Sequence, residues 1–366
     1  MSRIVVKVGS NILAGKKSGL NLERVCAIAS DLSKLIEADH EIVMVSSGAV
    51  AAGMTKLGLK EKPKEICLKQ AAAAAGQSSL IQAYEKCFGE YARKVAQVLL
   101  TRDDLSDRAR YLNAKNTLIT LLDYAIIPII NENDTVATDE IKFGDNDHLA
   151  ALVSGLIDAD RLVILSDVDG LYSEDPKSSK AAKVIPFVDA ITPELEGRAG
   201  GSGSAVGTGG MYSKVLAAKK AISFGVSVNI INGRKKGLIV SLLSGKHHGT
   251  EFISKDKKIS SRKGWIAYAV KPKGSIVLDD GAVNALLKSG KSLLPSGIAR
   301  VDGVFDTGDA VFCLSSSGRR IAKGIVNYSS QDIEKIKGKK TTELESVLGY
   351  KYSDEVIHRD NLVVLV

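Results

Sequence analysis

Two lysines, Lys7 and Lys214, each stand beside glycine-rich backbone, a pairing suited to handling phosphate. Lys7 closes an apolar run and leads straight into Gly9 and Ser10, which sets an ammonium next to free backbone amides. Ser46-Ser47-Gly48 opens a helical pattern, where amides and the helix dipole favour an anion. GGSGSAVGTGGMYSK (200–214) is a glycine-rich loop running into a helix that starts near Met211, with Lys214 in its first turns. Phosphoryl transfer spreads negative charge over equatorial oxygens, and two lysines with several amide clusters meet that need. Taken alone, the loop reads as a flexible linker and Lys7 as a charge that snorkels to solvent; together they point to phosphate chemistry. No P-loop supplies it. GSNILAGK (9–16) has one residue too many between its glycines, and ALLKSGKS (285–292) has Ala285 in place of the first glycine.

A second cluster is acidic. NEND (131–134) and GDND (144–147) put Asp134, Asp145 and Asp147 close along the chain. The three carboxylates suit a Mg²⁺ ion, which takes oxygen ligands. They equally suit recognition of an α-amino group together with orientation of the lysines. Plain turn chemistry is the third reading. His148 adjoins the run as a residue that packs or faces solvent, and His247 and His248 look incidental.

The elements that must position these residues alternate in apolar period. Apolar runs at 4–9, 41–46, 95–100, 126–131, 161–166 and 226–232 read as strands, and 21–38, 69–87 and 107–124 as helices. Strands apolar throughout and separated by helices predict a mostly parallel sheet covered on both faces, an α/β domain. KVGSN (7–11), SSGAVAAG (46–53), NENDTVAT (131–138), GDNDH (144–148) and SDVDGLY (166–172) then fall in loops on the ligand-binding rim, most of them at carboxyl ends of strands. Beyond residue 237 the stretches 233–237 and 244–264 are polar and basic, as a linker or crossover would be. Residues 274–329 show short strands bounded by Gly and Asp, with one small helix, which predicts a compact β-rich module.

At 366 residues the chain is long enough for two domains, and 45% hydrophobic with 25% charged residues excludes wholesale disorder. The net charge of +8 is uneven: residues 1–240 hold 30 basic and 28 acidic side chains, and residues 241–366 hold 20 and 14. Only the second part has a basic excess that suits nucleic acid. Cys26, Cys67, Cys87 and Cys313 show no CxxC pair. Cys26, Cys67 and Cys87 fall in helical patterns and read as free, buried thiols, and the set suits a reducing compartment. With no signal peptide and no apolar run near 20 residues, a cytoplasmic location is expected.

KVGSN, VSSGAVAAG, INENDTVAT, GDND, SDVDGLY with Asp175-Pro176, and GTGGMYSK together resemble the amino acid kinase superfamily, and residues from about 274 to 350 are similar to the PUA domain. The resemblance implies an amino acid kinase-like sandwich over 1–253, a linker over 254–273, a small β-rich PUA barrel over 274–350 and a tail over 351–366. NEND, GDND and the PUA fusion single out the branch that phosphorylates the γ-carboxylate of L-glutamate with ATP and Mg²⁺. By resemblance, Lys7 and Lys214 bracket the transferring phosphoryl group and Asp147 holds them by ion pairing. Ser47, Asp134 and Asn146 bind glutamate. Lys7, Gly9, Ser166, Asp167 and the loop Thr208, Gly209, Gly210, Met211, Tyr212, Ser213 and Lys214 hold nucleotide, and no residue is singled out as a metal ligand. Ser213 stands where the family pattern leads us to expect Thr, and it keeps the hydroxyl. The resemblance also implies a homodimer or tetramer and feedback inhibition by proline. Two other readings stay open: a sibling phosphotransferase acting on another acid or a nucleoside monophosphate, and an RNA-binding protein working through its basic C-terminal module. Aromatics at 5% of the chain, with Trp265 the sole Trp, supply base stacking poorly.

Overall fold

A computed structural model describes residues 1–15, 19–136, 145–176, 179, 181–200, 210–254 and 261–365. The chain divides into two compact units, Met1–Leu105 with Ala109–Ile259, and Ser260–Val366 with Ser106–Arg108.

The first unit is built on strands β1 (Arg3–Val8), β2 (Glu41–Ser46), β3 (Lys94–Leu100), β4 (Ile126–Glu132), β5 (Arg161–Ser166), β6 (Phe187–Val188), β7 (Ser227–Asn232) and β8 (Thr250–Phe252). They form one sheet in the order β3-β4-β2-β1-β5-β7-β8-β6. Pairing is parallel from β3 through to β7; β8 runs antiparallel against β7, and β6 pairs parallel with β8, so these two short strands run opposite to the other six. The six long strands match the apolar runs to within a residue or two; five of them are largely buried on both faces and so nearly apolar throughout, while β3 at the sheet edge leaves Lys94 and Gln97 exposed. The short β6 and β8 escaped that reading. β8 lies inside the polar stretch read as a linker, and three residues are too few to show a period.

Alternation along β1 sorts the two faces. Ile4, Val6 and Val8 pack with the helices Leu22–Glu37, Ile66–Gly89 and Leu238–Leu243. Val5 and Lys7 point the other way, to the face covered by the helices Asp145–Leu156 and Met211–Ser223, which pack on each other. Connections from β1 lead to β2 on one side and those from β5 to β7 on the other, so β1 and β5 flank a topological switch point. The helix Ala49–Lys56 starts at Gly48, whose φ of +117° is a left-handed conformation that favours glycine. It crosses the Ile66–Gly89 helix with backbone against backbone: a Cβ on Gly76 would stand 1.9 Å from the Ala49 carbonyl oxygen.

The expectation for the cysteines needs correction. Cys26 and Cys87, 61 residues apart, are joined by a disulfide between the helices Leu22–Glu37 and Ile66–Gly89; Cys67 is exposed and Cys313 buried. The partnership arises from tertiary packing, which spacing in the chain does not reveal, and the argument for a reducing compartment from unpaired cysteines lapses.

The second unit holds a five-stranded sheet in the order β10-β9-β11-β12-β13, with β9 Gly274–Leu278, β10 Ile298–Gly303, β11 Ala310–Leu314, β12 Arg320–Ile325 and β13 Leu362–Val364. Its own core includes Ile276, Phe305, Val311, Tyr328 and Ile357. The small helix Asp280–Ser289 is capped by the Asp279 side chain, which accepts from Ala282 N–H at 2.6 Å, and ends at Gly290. Buried Lys323 donates to the carbonyls of Ala267 and Val270. Among the described residues no helix is long and apolar enough to cross a membrane.

Candidate active site

The pleat of β1 turns Lys7 onto the face where the Asp145–Leu156 and Met211–Ser223 helices lie, and both helices begin near the rim where β1 ends. Asp147, 1% exposed, joins the elements. Its Oδ1 lies 2.6 Å from Lys7 Nζ; its Oδ2 lies 3.3 Å from Lys214 Nζ and accepts the Ser213 hydroxyl at 2.7 Å. Both lysines are themselves buried. Burial raises the pKa of Asp147, but the two lysine charges and the hydrogen bonds outweigh it and hold the carboxyl below its usual range. Burial lowers Lys7, the charge of Asp147 raises it, that of Lys214 lowers it, and the net direction is down. Two ammonium groups around one carboxylate leave the cluster one positive charge in excess, in a place water hardly reaches. An incoming anion would offset it.

Loop backbone surrounds the cluster. Lys7 Nζ lies 3.5 Å from where a Cβ on Gly9 would be, so the ammonium sits against the loop after β1. Ser47 N–H donates to the Val8 carbonyl at 3.0 Å, which ties the loop after β2 to the same spot. Ser47 is bound further into a polar chain. Asn146 Nδ2 donates to Ser47 Oγ and to Asn131 Oδ1, both at 2.9 Å, and Asn131 Nδ2 donates to Gln77 Oε1 at 2.9 Å. Ser47 and Asn146 are thus brought together. Asp134 follows β4 by two residues, and burial pushes its carboxyl up to about 6.

At the end of β5, Asp167 Oδ2 accepts from Asn11 Nδ2 at 3.1 Å, and Ser166 beside it is buried. Farther along the rim Asp169 accepts from Asn232 Nδ2 at 2.9 Å and pairs with Lys235 at 2.7 Å. Gly210 caps the Met211–Ser223 helix, Met211 is half-buried, and Tyr212 is 43% exposed. Thr208 and Gly209 lie outside the described residues, as does the stretch 137–144 between the two acidic motifs.

A metal cage that includes Asp147 does not fit: Asp147 turns each oxygen to an ammonium, where a cation would be repelled. The side chain of Asp145 lies outside what the structure describes. His148 packs: its Nε2 meets Lys220 Nζ at 2.9 Å, and burial with the charges of Lys220 and Arg102 lowers it to about 3, so it is neutral. His247 and His248 line a cavity of about 310 Å³ together with Asp169, Asn232 and Lys235.

Reading the sequence passed over Asn11, Gln77 and Asn131. Asn131 stands within the quoted NEND motif and Asn11 within KVGSN, so proximity to a motif was their signal. Gln77 sits in an alanine-rich helix and had none.

Comparison with known proteins gives the family. Residues 2–232 match the model of the amino acid kinase family, and residues 274–348 that of the PUA domain. A Geobacter sulfurreducens protein named glutamate 5-kinase is 52% identical over 365 residues, covering 100% of this chain and 98% of its own. The glutamate 5-kinase of Caldanaerobacter subterraneus subsp. tengcongensis is 53% identical over 363 residues, 99% of this chain and 98% of its own. Among solved structures, the UMP kinase of Bacillus anthracis covers 70% of this chain and 97% of its own at a TM-score of 0.49 and 14% identity. With the family match spanning residues 2–232, which include seven of the eight strands of the sheet, and with full-length relatives more than half identical, the chain belongs to the amino acid kinase family.

Proposed function

We propose that this protein transfers the γ-phosphoryl group of ATP to the γ-carboxylate of L-glutamate, giving ADP and L-glutamyl 5-phosphate, the first step of proline biosynthesis. The observation that carries the reading is the buried carboxylate of Asp147 shared by Lys7 and Lys214. Full-length relatives named glutamate 5-kinase support the choice of substrate. One oxygen of the substrate carboxylate forms a bond to the γ-phosphorus as the bond from that phosphorus to the bridging oxygen of ADP breaks. A carboxylate is already a nucleophile, so no general base is required and positioning carries the catalysis.

In this reading Lys7 and Lys214 are the catalytic residues, facing the transferring group from two sides and offsetting its charge, while Asp147 holds both in place by ion pairing. The amides of the Gly9 and Ser47 loops receive phosphate oxygens. Ser47 and Asn146 hold glutamate, with Asp134 on its ammonium. Ser166, Asp167 and the loop from Thr208 to Lys214 hold nucleotide. The donor set builds no protein cage for Mg²⁺. An ion carried on ATP would be held from the protein side by Asp167 at the rim and would supply neutralisation of the phosphate charge.

The reading extends to a cytoplasmic enzyme that assembles as a homodimer or tetramer and is inhibited by proline. It divides the chain into a kinase domain over 1–253, a linker over 254–273, a PUA domain over 274–350 and a tail. The basic excess of the second part supports an RNA contact there, separate from catalysis. A panel tests the substrate: ADP release is measured with glutamate, aspartate, acetylglutamate, carbamate and UMP. Turnover confined to glutamate is expected, and turnover with another member alone would overturn the assignment.

A further inference from the structure

Ser213 does not present its hydroxyl as a plain nucleotide-loop residue would. It stands in the first turn of the Met211–Ser223 helix, immediately before Lys214, and its Oγ lies 2.7 Å from Asp147 Oδ2 and 2.9 Å from the Gly210 carbonyl. A hydroxyl has one proton to donate, and the charged acceptor at the shorter distance takes the stronger bond. The same Oδ2 is the oxygen that Lys214 reaches at only 3.3 Å, whereas Lys7 holds Oδ1 at 2.6 Å. Without a second donor on Oδ2, the carboxylate would be drawn toward its closer partner. The hydroxyl therefore balances an unequal pair.

We propose that Ser213 is a positioning residue, which fixes the Asp147 carboxylate so that one oxygen serves each lysine and so keeps Lys214 aimed at the transferring group. This deepens the phosphotransferase reading and, for its kinetic part, rests on it. The groups that face Asp147 are Lys7 from β1 and Ser213 and Lys214 from the Met211–Ser223 helix, with Asp167 at the end of β5 acting on Lys7. A hydrogen bond to the ionised form lowers a carboxyl's pKa, so its removal raises it. Ser213→Ala should accordingly move any acid limb of kcat that reports Asp147 to higher pH, and Ser213→Thr should move it back.

The test compares wild type, S213A and S213T in two ways. Steady-state kinetics across pH 5–9 should show kcat of S213A down roughly 10- to 100-fold, the factor carried by one charge-assisted hydrogen bond. KM for ATP and for glutamate should stay within about twofold, and S213T should recover kcat. Independently, ¹³C-carboxyl NMR of Asp147, assigned with D147N, should show its titration displaced upward in S213A and restored in S213T. An S213A enzyme with unchanged kcat, or one that raises only KM for ATP, would overturn the proposal, since the hydroxyl would then serve the nucleotide. If wild type turns over no substrate, the glutamate reading fails, and the NMR titration still decides for or against Ser213: an unmoved Asp147 titration overturns the role by itself.

Discussion

Asp147 acts through the company it keeps. Its burial would disfavour ionisation, yet two lysines and a hydroxyl reverse the sign, and the charge they share is what the reaction uses. Lys214→Ala removes one of the two cations facing the transferring group and leaves substrate contacts in place. Its kcat should fall on the order of 10²–10³, while KM for glutamate changes less than about threefold. Equal losses in both would mean that Lys214 binds substrate and transition state alike. Asp134 makes the opposite case, a carboxyl that burial leaves without compensation and pushes up to about 6. KM for glutamate should rise as pH falls through 6, because the protonated acid no longer attracts an ammonium; in Asp134→Asn it should be high and flat. Stability runs the other way. The unfolded chain ionises this group near 3.8 and the folded chain near 6, so the folded state loses ground as pH rises across that interval. Asp134→Asn should be more stable than wild type at pH 8, by at most about 3 kcal/mol, and equal to it below pH 4. Thermal denaturation at the two pH values measures this.

Among the elements, the closest approach in the kinase unit is the crossing of Ala49–Lys56 over Ile66–Gly89. A Cβ on Gly76 would stand 2.3 Å from the Gly53 amide nitrogen as well as against the Ala49 carbonyl, and backbone cannot yield as a side chain can. Gly76→Ala must push the shorter helix away, and that helix begins directly after Ser47-Gly48. We expect a loss of about 1–3 kcal/mol in denaturant unfolding together with a raised KM for glutamate. Stability lost with KM unchanged would show that the Ser47 loop is held independently of the helix. The elements also show what a sequence reveals. Strands β1, β2, β4, β5 and β7 were legible because burial on both faces leaves one kind of residue acceptable, and β3 by its apolar run alone, although it lies at the sheet edge with Lys94 and Gln97 exposed. Three-residue β8 and the Cys26–Cys87 bridge were not, since both depend on neighbours distant in the chain. Lys7, Asp147 and Lys214 stood out by the glycines and turn residues around them. Gln77 did not, because a lone polar residue in an alanine-rich helix resembles any solvated position, although here it supports Asn131 and through it Asn146.

For the molecule as a whole, every residue of the proposed site lies in the first unit, and the second has its own sheet and core. A chain ending at residue 259 should therefore fold and retain phosphoryl transfer, with kcat within a few-fold of full length. Loss of activity in a folded truncation would make the C-terminal unit part of the catalytic apparatus. Counted by unit, the first holds 33 basic and 29 acidic side chains and the second 17 and 13, so net charge does not set the two apart. The most direct test of the account uses the full chain with ATP, Mg²⁺ and L-glutamate, and hydroxylamine to trap an acyl phosphate. A γ-glutamyl hydroxamate should form in step with ADP, and Lys214→Ala should suppress both. ADP released without hydroxamate, or neither product from folded wild type, would contradict transfer to the glutamate γ-carboxylate.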